Sequence, residues 1–253
     1  MESFASYLHR FKVAEGQLGV FWLGQAGFAF KSAGGTVIAV DPYYSDCCNR
    51  YFGFRRLIPY LMTPTDIEFD AIVCSHAHYD HFDVDGIPHA LSNGNTRLIC
   101  ATDCLVECER LNIHDNITTL KLGESTVCGD FTITGMACDH GELAPDALAL
   151  LIECDGKKIY LMGDTCFRAD LLENPVLHGT DLLILPINGA FGNLNERDGA
   201  EVCKILKPKL AIPCHFGNFA EHGGNPGLYA EIMKAEVSEV PYRLMRVGEG
   251  IRI

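Results

Sequence analysis

Basic side chains are scarce in this chain: 20 Lys and Arg stand against 33 Asp and Glu, a formal net charge of -13. Such a surface repels a phosphate backbone, so nucleic acid is not an expected partner. The N-terminus, Met-Glu-Ser-Phe-Ala-Ser-Tyr-Leu-His-Arg, has no basic start leading into an apolar stretch, and no run approaches membrane-spanning length. The expectation is a cytoplasmic protein without a membrane partner. Among the 12 cysteines there is no Cys-x-x-Cys pair. Cys74, Cys100, Cys154 and Cys203 lie inside apolar runs, which suits small buried hydrophobes in a reducing compartment rather than a disulfide framework. The vicinal pair Cys47-Cys48 reads as incidental more readily than as redox-active.

What is present fits one α/β domain spanning 1–253, with 48% hydrophobic residues and 25 glycines for tight turns. A short amphipathic lead-in at 1–15 can be helical. Apolar runs at 17–23, 28–32 and 36–40, separated by turns at 24–27 and Gly34-Gly35, predict an antiparallel meander. Asp41-Pro42 closes it and opens an irregular stretch at 43–65 carrying Tyr43, Tyr44, Tyr51, Phe52 and Phe54 with Arg50, Arg55 and Arg56. A loop of that length is either a lid or binding loop, or a satellite cluster packed on the surface. Further strands are predicted at 69–74, 97–100, 117–122, 125–128, 130–137, 147–154, 158–162, 182–185 and 209–213. Helices are predicted at 84–91, 102–111, 197–206 and 228–235, and a closing hairpin at 242–253. Two stretches echo each other: 34–41 parallels 156–164, and 71–76 parallels 210–215.

The chemistry concentrates at 69–85, where the run from Phe69 to Cys74 ends in His76, His78, Asp80 and His81. Four ligand-type side chains within six residues cannot all face a core, because burying unpaired imidazoles and a carboxylate is costly. They need a cation. On a loop, His76 and His78 can point one way with Asp80 and His81 a turn further on, an arrangement that suits two adjacent ions. A structural zinc site would call for Cys-rich closure, which is missing.

This His-x-His-x-Asp-His pattern resembles the metallo-β-lactamase superfamily. The resemblance implies a four-layer αββα sandwich with its site at one edge, and three more ligands, each at a strand end. His140, Asp164 and His215 are the candidates, although a turn-stabilising role for Asp164 is the common alternative. By that resemblance His76, His78 and His140 hold one ion, Asp80, His81 and His215 hold another, and Asp164 bridges them. Two such cations, roughly 3.5–4 Å apart, lower the pKa of a shared water and hold hydroxide ready at neutral pH. Asp80 would orient that nucleophile and carry its proton to the leaving group. No Ser-His-Asp or Cys-His arrangement is needed. His9, His89, His114 and His178 are expected to be structural or surface residues, and so is His222, though it lies near enough to His215 to reach a substrate.

The flanks, Val-Phe-Trp-Leu-Gly-Gln-Ala-Gly-Phe from Val20, Leu-Pro-Ile-Asn-Gly from Leu185 and Leu-Ala-Ile-Pro-Cys-His-Phe from Leu210, are similar to the L-ascorbate-6-phosphate lactonase family. That similarity implies a hydrolase opening a lactone or ester of a small, phosphorylated sugar-acid-like substrate, with manganese or zinc as the two ions. For a phosphate, Arg50, Arg55, Arg56 and Arg197 are the cationic candidates, with Asn193 and Asn195 as further donors. The alternatives are a phosphodiesterase of the same superfamily, whose lipid-facing helix or RNA-binding arm is not seen, and a di-iron oxygen-reducing module. A homo-oligomer stays open.

Overall fold

Two sheets absorb the apolar runs. The computed structural model describes residues 2–253. Its first half contains α1 (Phe4–Arg10), β1 (Gly19–Gly24), β2 (Gly27–Lys31), β3 (Val37–Val40), α2 (Cys47–Phe52), β4 (Ala71–Cys74), α3 (Ile87–Ala90), β5 (Arg97–Cys100), α4 (Cys104–Arg110) and β6 (Ile117–Thr119). The second half contains β7 (Ser125–Cys128), β8 (Phe131–Ala137), β9 (Leu148–Cys154), β10 (Lys157–Leu161), β11 (Leu182–Pro186), α5 (Glu196–Leu206), β12 (Ala211–Cys214), α6 (Pro226–Glu236) and β13 (Gly250–Arg252).

The first sheet has the order β13-β1-β2-β3-β4-β5-β6 and the second β12-β11-β10-β9-β8-β7. In the first, the predicted meander β1-β2-β3 is antiparallel and β3 through β6 are parallel. The second is antiparallel from β7 to β10 and parallel from β10 to β12. Strand β11 is buried along its whole length because both its faces are covered. Leu182 and Ile184 face the first sheet across the main core, while Leu183 and Leu185 pack with Val202, Leu206, Tyr229 and Met233 of α5 and α6. On the first sheet, Phe4 and Leu8 of α1, Ile87 of α3, and Cys104 and Cys108 of α4 join the core. Sheets within and helices outside make this the mixed α/β sandwich that the motifs implied.

Two predicted features differ. The stretch at 43–65 is not wholly irregular, since 47–52 form α2, ended by Gly53 in the left-handed region at φ 77°. The closing hairpin at 242–253 does not form. Tyr242 instead bridges Ala211 at the edge of the second sheet, and β13 pairs antiparallel with β1 at the edge of the first. Each sheet offers an unpaired edge there, so one segment covers both edges rather than doubling back on itself.

Candidate metal centre

The candidate ligands all lie just beyond strand ends. The turn after β4 carries His76, His78, Asp80 and His81, closed by hydrogen bonds from the backbone N–H groups of His81 and Phe82 to the carbonyl of His78. His140 follows β8, Asp164 follows β10, and His215 follows β12 directly. The amide of Leu148 in β9 donates to the carbonyl of Ser75 at 3.0 Å, which ties the two sheets together beside the site. The backbone N–H of Asp139 donates to Thr165 Oγ1 at 2.9 Å, so the strand ends bearing His140 and Asp164 are held side by side. Gly163 has to be glycine: its φ is +64°, and a Cβ there would meet the carbonyl of Leu148 at 2.9 Å.

These residues meet in two sets that share Asp164. One comprises His76, His78, His140 and Asp164, the other His81, Asp164 and His215, with the ligating atoms of each set within 4.8 Å of one another. His76 Nε2 lies 2.9 Å and His140 Nε2 3.2 Å from His78 Nδ1. In the second set His81 Nε2 and His215 Nε2 are 3.3 Å apart. Asp164 turns Oδ2 toward His140 Nε2 at 3.7 Å and Oδ1 toward His81 and His215 at 3.3 and 3.1 Å. Four bonds of 2.0–2.1 Å around a tetrahedral zinc ion separate the ligand atoms by about 3.3 Å, close to these spacings. Asp164 Oδ1 is buried and, among the described residues, faces only the imidazole nitrogens of His81 and His215, neither in hydrogen-bond geometry, as expected of an atom shaped for a cation. The residues therefore fit metal, and these His and Asp groups are able to hold it.

The cluster is strongly polarised. Burial would raise the carboxyls of Asp80 and Asp164, but the imidazoles of His81 and His215 outweigh it and hold both well below the usual range. Burial opposes charge on His81 and His215 as well. The carboxylates reverse this, raising His81 well above its ordinary value and His215 to about 9. His76 and His140 are pushed down, chiefly by burial. Those two are neutral imidazoles with lone pairs available at physiological pH, which is the ligating form.

Three neighbours were not singled out by the sequence as site residues. Asp41, fully buried at the end of β3, accepts from His81 Nδ1 at 2.8 Å, from the Ser75 amide at 2.7 Å and from Ser75 Oγ at 2.7 Å. It fixes which His81 nitrogen faces the centre, as an outer carboxylate does for a ligating histidine. Gln25, in the turn between β1 and β2, donates from Nε2 to Asp80 Oδ2 at 2.9 Å. His222, expected to be structural, lies with Nδ1 3.0 Å from the same Gln25 nitrogen and forms a further cluster with Asp80 and His215. For Asp41 the available signal was the internal echo, which sets it opposite Asp164 at equivalent strand ends, and for His222 its closeness in sequence to His215. Gln25, Asp41 and His215 all hold left-handed backbone, with φ of 51°, 46° and 61°, a conformation that side chains other than glycine adopt at a cost.

Above the cluster opens a cavity of about 400 Å³, lined by Cys48, Phe52 and Phe54 from the 43–65 stretch, by Tyr79 and Leu143, and by Phe191. That stretch therefore forms one wall of the cavity. It is pinned by Asp83, which accepts from the amides of Tyr44 and Ser45 at 2.8 and 2.6 Å. Among the described residues no Arg or Lys lines the cavity.

None of the six residues proposed for phosphate or substrate binding lines it either. Arg50 pairs with Asp85, and Arg55 is exposed. Arg56 donates to the carbonyls of Tyr43 and Ser45 and stacks over Tyr43 and Tyr60. Arg197 pairs with Glu236 at 3.0 Å. Asn195 caps α5, accepting from the amides of Arg197 and Asp198, and Asn193 is buried. Arg50, Arg56, Arg197 and Asn195 are thus occupied locally, because loop composition does not encode side-chain direction.

Comparison with known proteins agrees with this geometry. The chain is 27% identical over 256 residues to a UPF0173 metal-dependent hydrolase of Anaeromyxobacter sp. (strain K), covering 95% of this chain and 88% of that one. It is 24% identical over 242 residues to a protein of the same name from Archaeoglobus fulgidus, covering 91% and 96%. A metallo hydrolase from the archaeon Ignicoccus hospitalis shares the fold at a TM-score of 0.74 and 18% identity, covering 94% of this chain and 98% of that one. The family model described as the Beta-lactamase superfamily domain matches residues 19–215, and the chain belongs to that superfamily.

Proposed function

We propose that this chain is a metal-dependent hydrolase of small molecules that uses two divalent ions, manganese or zinc. His76, His78 and His140 would hold one, Asp80, His81 and His215 the other, and both would share Asp164. The carrying observation is the division of Asp164, with one carboxylate oxygen turned to each histidine set. Relatives named metal-dependent hydrolases support the reading. Bound ions supply Lewis acidity and an activated water at neutral pH.

The chain's own residues do the rest. Asp80 is held by Gln25 and His215 through Oδ2 and lines the cavity. It is placed to accept a proton from water and return it to the leaving group. Phe52, Phe54, Leu143 and Phe191 give this floor a largely apolar wall. The bond broken is that of a lactone or ester. A phosphodiester is disfavoured because the cavity offers no Arg or Lys for the phosphate. The same fact removes the ground for a phosphorylated sugar acid. A 400 Å³ cavity suits a small molecule. Among the described residues no helix is long and apolar enough to cross a membrane.

Two measurements test the reading. Elemental analysis of protein purified without chelator should find about two ions per chain. Phenyl acetate and neutral lactones should be turned over in preference to a chromogenic phosphodiester. Protein that retains no ion and gains no activity with added manganese or zinc would sink it.

A further inference from the structure

His222 is the one histidine in the cavity wall without a place in either ion set, and its surroundings define it closely. Its ring stacks on that of His215 at 5.2 Å and 5°. Phe54, Phe191 and Phe219 surround it with centroids at 5.3, 5.1 and 4.9 Å. Gln25 Nε2 lies nearest Asp80 Oδ2, at 2.9 Å, and His222 Nδ1, at 3.0 Å, with both ring nitrogens of His215 further off at 3.3 Å. An ionised carboxylate only accepts, so the Gln25 atom facing Asp80 must be the amide nitrogen. His222 Nδ1 is then the acceptor of its second N–H, and the imidazole proton is placed on Nε2. The amide nitrogen also fills the space between Asp80, His215 and His222, so that trio holds an N–H group rather than a third ion. His222 lines the cavity, and among the described residues its Nε2 makes no hydrogen bond. The result is an oriented N–H donor set in an aromatic wall.

We propose that the cavity selects an uncharged, largely apolar aryl or alkyl substrate, oriented by a hydrogen bond from His222 Nε2–H to its acceptor heteroatom while Phe52, Phe54 and Phe191 cover its apolar body. This rests on the hydrolase reading for the reaction itself and adds the substrate class. A charged group or a polyol would lose water against these rings without finding enough partners, a penalty of several kcal/mol. An aryl ring loses nothing there and gains edge-to-face contacts.

The test uses the metal-loaded full chain with probes that do not react. Acetophenone, toluene and sorbitol are titrated by ligand-observed NMR against wild type and His222→Phe. Acetophenone should bind roughly fivefold tighter than toluene, the effect of one neutral hydrogen bond. In His222→Phe the two should bind alike, and sorbitol should be weakest in both. Equal binding of acetophenone and toluene to wild type, a preference that survives His222→Phe, or tightest binding of sorbitol overturns the proposal. Should the variant fail to fold, long-range proton–nitrogen NMR on wild type decides. A proton on His222 Nε2 supports the proposal and one on Nδ1 refutes it. Binding without any turnover would count against the hydrolase reading alone, whereas turnover without the acetophenone preference would count against this proposal alone.

Discussion

At the floor of the cleft, His76, His81, Asp164 and His215 are buried, and each has a ring nitrogen or carboxylate oxygen close to another member of the cluster. At its rim, Phe52 and Phe191 are 56% and 46% exposed. The floor rests on strand ends, where the backbone is held by both sheets and a side chain has little choice of position. The rim rests on the stretches after β3 and β11, anchored at a few points such as Asp83 and Arg56. The difference separates two tasks. Chemistry that tolerates no displacement is mounted on the sheets, and recognition that can vary is mounted on connections.

The largest way to break this division is at the shared carboxylate. Asp164→Asn removes the charge common to both histidine sets, so metal content should fall toward zero and turnover should become undetectable, as read by elemental analysis and ester assay. Next comes a residue that touches His81 rather than an ion. Asp41→Asn should lower metal affinity by about 10- to 100-fold in a chelator competition, without abolishing binding. Retained wild-type affinity would show that Asp41 does not orient His81.

Removing the ions should expose the floor's own electrostatics. In metal-free protein the value of about 9 for His215 lies above the unfolded imidazole value. The protonated pair therefore stabilises the fold fully below about pH 6.5, and that contribution is lost as pH rises toward 9. His81, raised in the same direction, adds to it. The melting temperature of chelated protein should fall over that interval, while the loaded protein, whose ligands are already deprotonated, should change little. A flat profile after chelation would contradict the polarised floor.

Rim changes should be gentler. Phe54→Ala should raise KM for an aryl ester several-fold and leave kcat and metal content near wild type, because it removes binding without moving a ligand. The smallest effect is expected at Arg197→Ala. That residue forms an exposed pair with Glu236, so stability should shift by no more than about 1 kcal/mol and activity should hold. A marked loss of turnover there would restore the phosphate-binding role that the cavity lining gives no ground for.

The same division governs how much could be foreseen. Four ligand-type residues packed after an apolar strand announce themselves, because no core accommodates them and no solvated turn needs so many. The strand predicted at 182–185 is found at Leu182–Pro186 and the helix predicted at 197–206 at Glu196–Leu206, since apolar runs and helical spacing mark both. Gln25 could not be read in this way. A glutamine in a turn has no periodic signature, and its partners Asp80 and His222 lie 55 and 197 positions away. Only the closed fold brings them together. Arg56 misled for the complementary reason, since a guanidinium that suits a phosphate equally suits two tyrosine rings and a pair of carbonyls.

The left-handed backbone at Gln25, Asp41 and His215 has a consequence for anyone selecting hardier variants. Each position withholds about 1 kcal/mol or more that glycine would release, from a net stability that for a domain is of order 5–15 kcal/mol. Glycine at Asp41 would relieve that strain only by leaving the Ser75 amide and hydroxyl and His81 Nδ1 unpaired in the core, which costs more than it releases. Hardier variants should therefore keep these side chains, and the price of the centre stays written into the backbone.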